Sequence, residues 1–210
     1  DLHSFPTRRS SDLHLNFPVG ITVIGSNLYV ADRGNERISS YNITTGAFNG
    51  WIGRIGTPPT SGCTVANNGN YDVSTSGWCL GGTSAKASNL DRGGGFNFWG
   101  NNVGAGLTTD GTYLYVANFI ANRIDRYATN GTFLGSVRTR DDIYTNTWTS
   151  DPDVIGTMGS VGCSYPMSIW TDGTYMYGTN YQPCQRNGDS FNVWKMDLAT
   201  GTMIGWQGGI

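Results

Sequence analysis

Hydrophobic and polar residues alternate in short runs along this chain, and the alternation recurs. In residues 105–138 a short apolar strand, Gly106–Thr109, leads through Asp110-Gly111, a tight-turn signal between strands, into Tyr113–Ala117. That second run is rich in the aromatic and β-branched residues that pack well on a pleated surface. A polar turn, Asn118–Asn122, precedes Arg123–Tyr127, where Ile124 and Arg126 point one way and Arg123, Asp125 and Tyr127 the other. Asn130-Gly131 turns the chain again into Phe133–Val137. The same order of features appears at 19–53 and at 167–207. No stretch carries apolar residues at a 3.6-residue period over ten or more positions, so strands are predicted and helices are not. Each unit reads as a four-stranded antiparallel meander, and a repeat of about 35 to 45 residues is the period of a propeller blade, which buries both faces only by stacking on neighbours.

The expected fold is therefore all-β: a partial β-propeller of about three four-stranded antiparallel blades with long loop insertions on one face. Blade 1 is placed at 14–56, blade 2 at 98–138 and blade 3 at 166–210, with insertions at 57–97 and 139–165. Leu28-Tyr29-Val30-Ala31-Asp32 followed by Asn35-Glu36-Arg37-Ile38 resembles the NHL repeat, as does Leu114-Tyr115-Val116-Ala117-Asn118 followed by Asn122-Arg123-Ile124. The repeat's Pro-x-Gly-Ile opening stands as Pro18-Val19-Gly20-Ile21. The third copy keeps Met176-Tyr177-Gly178-Thr179-Asn180 but has Asn192-Val193 where Arg-Ile is expected. The resemblance covers 17–56, 105–138 and, more weakly, 166–207; it implies a β-propeller and fixes no activity, since one fold hosts many functions.

Residues 3–13, HSFPTRRSSDL, are similar to a translated sequencing adapter, Thr7–Leu13 matching it residue for residue, so residues 1–13 are set aside as an assembly artefact. The alternative is a natural basic N-terminal arm. With the adapter in place of the true start, the expectation is a fragment of a longer repeat protein.

Charge narrows the setting. Charged residues make up 13% of the chain, against about 25% in ordinary domains. The 31 glycines, with many Thr, Ser and Asn, describe turns and polar strand faces. Lys86 and Lys195 are the only lysines, and the net charge is -2, so no basic stripe offers itself to a nucleic acid backbone. No apolar run has the length of a membrane span.

Strand parity places both insertions, and an expanded turn at Tyr181–Ser190, at one end of the sheets, because the connections between strands two and three and between blades leave from the same end. Long loops gathered on a rigid scaffold are where binding function usually resides. Cys63, Cys79, Cys163 and Cys184 all fall there; the pairing favoured by proximity is Cys63 with Cys79 and Cys163 with Cys184, as staples for loops that lack a core. Free thiols and a metal site are the alternatives, the latter without CxxC spacing and with His3 and His14 as the only histidines. The sequons Asn42-Ile43-Thr44 and Asn130-Gly131-Thr132 are candidate glycosylation sites near the third hairpin of their blades, at the opposite end.

Candidate chemistry is sparse. Asp141, Asp142, Asp151 and Asp153 crowd the second insertion, either as calcium ligands or as a solvated acidic loop. Asp32, Asn118 and Asn180 recur at the end of each second strand, either as ligands or as turn residues, since an Asx side chain opening a turn bonds its own backbone. Gly93-Gly94-Gly95 lacks the strand and helix of a phosphate cradle. Trp78, Trp99 and Trp148 are either aromatic anchors for a partner or caps on the loops' own small cores. Thr22, Thr108, Thr109 and Ser168 line the innermost strands in place of acids. The reading is a non-catalytic extracellular or cell-surface module without cofactor, a scaffold for protein or glycan partners, for adhesion, or for assembly into a filament, with no nucleic acid partner. The alternative is a fragment of a propeller lyase or lactonase whose site lies in other blades.

Overall fold

The structure, a computed structural model, describes residues 14–67, 73–86, 95–96, 98, 106–138, 165–186 and 189–207. They form fifteen strands among which the only helical turn is a 3-10 turn at Arg33–Asn35. The first sheet holds β1 (Pro18–Ile24), β2 (Asn27–Asp32), β3 (Arg37–Asn42) and β4 (Phe48–Thr57), each antiparallel to the next. Strands β5 (Thr64–Asn67), β6 (Val73–Ser76) and β7 (Thr83–Ala85) join that sheet through β4. The second sheet is β8 (Leu107–Thr109), β9 (Tyr113–Asn118), β10 (Arg123–Ala128) and β11 (Phe133–Arg138); the third is β12 (Pro166–Thr171), β13 (Tyr175–Arg186), β14 (Asp189–Asp197) and β15 (Met203–Gln207). All three are antiparallel meanders at their core, as consecutive propeller blades require.

The turns follow from side-chain chemistry. In Thr109-Asp110-Gly111-Thr112-Tyr113 the Asp110 carboxylate accepts the N–H groups of Thr112 and Tyr113 at 2.8 Å, and the Thr109 hydroxyl donates to the Tyr113 carbonyl at 2.8 Å. Thr171-Asp172-Gly173-Thr174-Tyr175 repeats the arrangement, with distances of 2.8 Å and 2.7 Å to Asp172 and 2.7 Å from Thr171. A short acceptor side chain thus closes each hairpin without help from the rest of the sheet.

The period of two then decides the core. Along β9, Leu114 and Val116 turn toward the first sheet and join Tyr29, Ala31, Ile38 and Ile52, with Phe96 and Phe98 filling between. Tyr115 and Ala117, one residue out of phase, turn toward the third sheet and meet Ile169, Met176, Trp194 and Met196. The second blade is therefore buried on both faces, each side chain of Leu or Ile size contributing about 1.5 to 3 kcal/mol. The first strands meet in order, β1 beside β8 and β8 beside β12.

Two stretches expected as loops are strands. The first insertion leaves blade 1 at the end parity assigns, then returns along β4 as β5–β7, with Arg54 opposite both Ser74 and Ala85. The expected turn at 181–190 is a continuation of the β13–β14 hairpin, Cys184 standing opposite Phe191 and Arg186 opposite Asp189.

Candidate functional site

Two constellations concentrate polar chemistry: a buried polar pair at the β2–β3 position of each blade, and the disulfide-bearing extension beside the first. In blade 1, Asp32 ends β2 opposite Arg37, whose Nε donates to Oδ2 at 2.9 Å, both side chains almost wholly buried. Asp32 also accepts the Asn16 N–H at 2.7 Å and the Asn35 amide at 2.8 Å. In blade 2 the residue equivalent to Asp32 is Asn118, and the carboxylate has moved to Asp125, where blade 1 has Ser39. Arg123 Nε donates to Asp125 Oδ1 at 2.6 Å, and Asn118 Nδ2 to Oδ2 at 2.9 Å. Burial pushes the Asp125 carboxyl above the usual carboxylate range, more than Arg123 and Asn118 together draw it down. Each arginine thus bonds a carboxylate, from a different strand in each blade.

Blade 3 solves the same position without charge. Trp194 stands where Asp125 stands in blade 2, and its indole N–H donates to Asn180 Oδ1 at 3.0 Å. The larger ring needs room, and its cross-strand neighbour is Gly178 where blade 2 has Val116; a Cβ at 178 would collide with the Trp194 ring. Asp32, Asn118 and Asn180, read from sequence as either ligands or turn residues, are in fact the acceptors and donors of these buried inter-strand pairs.

The extension is held to blade 1 covalently and by backbone. Cys63 and Cys79 are joined as a disulfide with Cα atoms 4.7 Å apart, 16 residues apart in sequence. Cys79 exchanges backbone hydrogen bonds with Trp51 at 2.9 Å and 3.0 Å, and the Trp51 indole donates to the Gly81 carbonyl at 3.0 Å. Gly50, with φ of 140°, permits this approach: a Cβ there would lie 2.8 Å from the Cys79 carbonyl oxygen. Trp78 is half-buried, its ring centroid 5.4 Å from that of Tyr29, and its indole N–H donates to the Thr129 carbonyl at 2.8 Å. Gly77 N–H reaches the Gly131 carbonyl at 3.3 Å. The extension therefore bridges blade 1 to the β10–β11 turn of blade 2, the turn that carries Asn130.

At the other end of β4 a polar crevice of about 400 Å3 lies between the β2–β3 turn and β7, lined in part by Glu36, Arg37, Ser84 and Lys86. Glu36 accepts the Phe98 N–H at 2.7 Å, and burial raises its carboxyl above the ordinary value. That carboxylate anchors the segment wedged between blades 1 and 2. Among the described residues no three His, Cys, Asp or Glu side chains gather as a metal site would require.

Asn42 and Asn130 both use their side-chain oxygens as turn acceptors, Asn42 from Thr44 and Thr45 N–H at 3.0 Å and 2.9 Å, Asn130 from Thr132 N–H at 3.0 Å. Cys163, Trp99, Trp148, Gly93, Gly94, Asp141, Asp142, Asp151 and Asp153 lie outside the described residues.

No family model matches the chain, and no curated protein matches it. The solved structures to which it is similar include the following three. One is a protein of Bacteroides fragilis named as exported, at 14% identity and a TM-score of 0.45 over 96% of this chain and 40% of that one. Another is the hydrazine synthase of Kuenenia stuttgartiensis, at 13% identity and a TM-score of 0.36 over 95% of this chain and 51% of that one. A third is BamB of Moraxella catarrhalis, at 14% identity and a TM-score of 0.29 over 77% of this chain and 40% of that one. The chain spans between two fifths and about half of the length of these structures.

Proposed function

We propose that this chain is an NHL-type β-propeller module of an oxidising compartment, extracellular or periplasmic, that acts by holding partners and not by catalysis. The observation that carries the reading is the commitment of the acids and bases buried in its blades to one another: Asp32 to Arg37, Asp125 to Arg123 and Asn118. Their role is to satisfy buried polarity between strands. The Cys63–Cys79 disulfide supports the compartment, since such bonds persist where thiols are not kept reduced. The binding surface is the strand extension that this disulfide fastens, and its partners are proteins or glycans.

The test is an array of glycans and extracellular proteins probed with the oxidised chain and with the Cys63→Ser/Cys79→Ser variant. Binding by the oxidised chain, weakened about tenfold or more in a variant whose blades remain folded, is the expected result. Turnover of lactone or hydroxyglycine substrates, accompanied by stoichiometric bound metal, would overturn it.

A further inference from the structure

We infer that the polar crevice between the β2–β3 turn and β7 is a binding site for a sugar ring of an uncharged glycan. The site rests on the reading of the strand extension as a binding surface, since β7 is the part of that extension that forms one of its walls. At about 400 Å3 the crevice falls within the range of small-molecule sites, roughly 300 to 1,000 Å3. Such sites are mostly apolar, whereas every residue lining this one is polar or glycine. An apolar or aromatic ligand would strip water from these groups and return no hydrogen bonds, which is costly. The lining therefore selects a ligand that is polar over its whole surface.

Charge narrows the class further. Glu36 on one wall and Lys86 on the other carry opposite charges, and Arg37, 3% exposed, is bonded to the Asp32 carboxylate. The charges balance, so neither an anion nor a cation is favoured. Glu36 is set to accept: the Phe98 N–H fixes its Oε2 at 2.7 Å, and no described residue donates to Oε1. Burial raises its carboxyl above the ordinary value, outweighing the Phe98 N–H and the Lys86 and Arg33 charges, as befits a carboxylate short of donors. A sugar hydroxyl both donates and accepts, so neighbouring hydroxyls on one ring can donate to Glu36 and accept from the Lys86 ammonium.

The walls are fixed before any ligand arrives. The Ser84 hydroxyl of β7 donates to the Asn35 carbonyl of the turn, tying one wall to the other. Arg54 donates to the Lys86 carbonyl at 2.7 Å, and the Thr83 hydroxyl lies 2.9 Å from that of Thr57. Little ordering is left to oppose binding. Nor is the crevice a by-product of the repeat. Blade 2 makes the same turn, with Asn122 in place of Glu36 and φ of 51° at both, but among the described residues no strand joins β11 as β7 joins β4. The crevice is what the extension adds to blade 1.

Saturation-transfer NMR with titration tests this on the oxidised 210-residue chain, using a panel of neutral disaccharides, disaccharides containing a uronic acid, and the dipeptide Gly-Gly. Transfer to at least one neutral disaccharide is expected, stronger than to any charged probe. Glu36→Gln, which keeps an acceptor for the Phe98 N–H, and Lys86→Ala, at an exposed position, each weaken that binding about tenfold, the loss of one charge-assisted hydrogen bond. Transfer to no neutral disaccharide, a preference for the uronic acids or the dipeptide, or an affinity unchanged in either variant overturns the inference. If Glu36→Gln loses its far-UV strand signal, Lys86→Ala and Lys86→Glu decide in its place. A chain that captures proteins but no disaccharide would end this site and leave the scaffold reading standing. Disaccharide binding that depends on Glu36 and Lys86 yet is unchanged in Cys63→Ser/Cys79→Ser would uphold the site and end the reading of a surface fastened by the disulfide.

Discussion

At the scale of single residues, the buried polar pairs carry the sharpest expectations. Asp32→Asn leaves Arg37 buried without its carboxylate, and loss of one partner from a buried pair costs about 3 to 5 kcal/mol. Blade 2 contains the remedy, its carboxylate on β10 in place of β9. Adding Ser39→Asp to Asp32→Asn therefore restores at least half of the lost stability in urea denaturation, and a double variant no better than the single one contradicts the equivalence. The turn carboxylates give the pH dependence. Asp172 is held below its ordinary pKa by the Tyr175 and Thr174 N–H groups, and Asp197 by the Thr200 N–H and hydroxyl. A group whose folded pKa is depressed stabilises the fold above its unfolded value and loses that contribution as pH falls through the folded one. The melting temperature is expected to drop below about pH 4, and Asp172→Asn with Asp197→Asn to flatten the drop. Asp125, raised by burial, works in the opposite sense and leaves that acid limb in place.

At the scale of elements, the extension beside blade 1 is the part that a covalent bond holds. Closing a loop of this size restricts the unfolded chain by about 3 kcal/mol. Hydrogen exchange after reduction is expected to accelerate in β6 and at Trp78–Leu80 while β9 and β10 keep their protection; equal acceleration throughout would show that the extension is integral to the core. The blades themselves were legible in sequence because local signals agreed: Thr-Asp-Gly-Thr-Tyr turns, aromatic second strands and two-residue alternation all point to the same meander. Strands β5–β7 were less legible, since Gly-, Asn- and Ser-rich composition reads as loop, although Asn68-Gly69 between Thr64–Asn67 and Val73–Ser76 carried a hairpin signal. Asn187-Gly188 carried the same signal for the long β13–β14 hairpin. The roles of Asp32, Asn118 and Asn180 were hidden for a different reason. Their partners are set by cross-strand register, and the migration of the acid from 32 to 125 becomes visible only once the sheets are paired. Trp78 reads equally as a partner's anchor or a core cap in sequence; its bond to Thr129 across blades is a tertiary fact.

At the scale of the whole molecule, cohesion comes from two apolar layers between three sheets, so stability is a sum of blades and junctions. Phe98, 1% exposed and tied through its N–H to Glu36, belongs to the first junction. Phe98→Ala is expected to cost about 3 to 5 kcal/mol and to separate the unfolding of blade 1 from that of blades 2 and 3, seen as non-coincident tryptophan fluorescence and circular dichroism transitions. A single coincident transition in the variant would place the coupling elsewhere. The relocated carboxylate also limits how such an array can be reshuffled. A gene crossover falling between the second and third strands of blades 1 and 2 would bring Asp32 together with Asp125 around one guanidinium, and its reciprocal product would pair Asn118 with Ser39 and take the Asp32 carboxylate from Arg37. A crossover at a blade boundary keeps each pair intact, so recombination between these repeats is expected to be penalised at the join of the second and third strands and not at the boundaries.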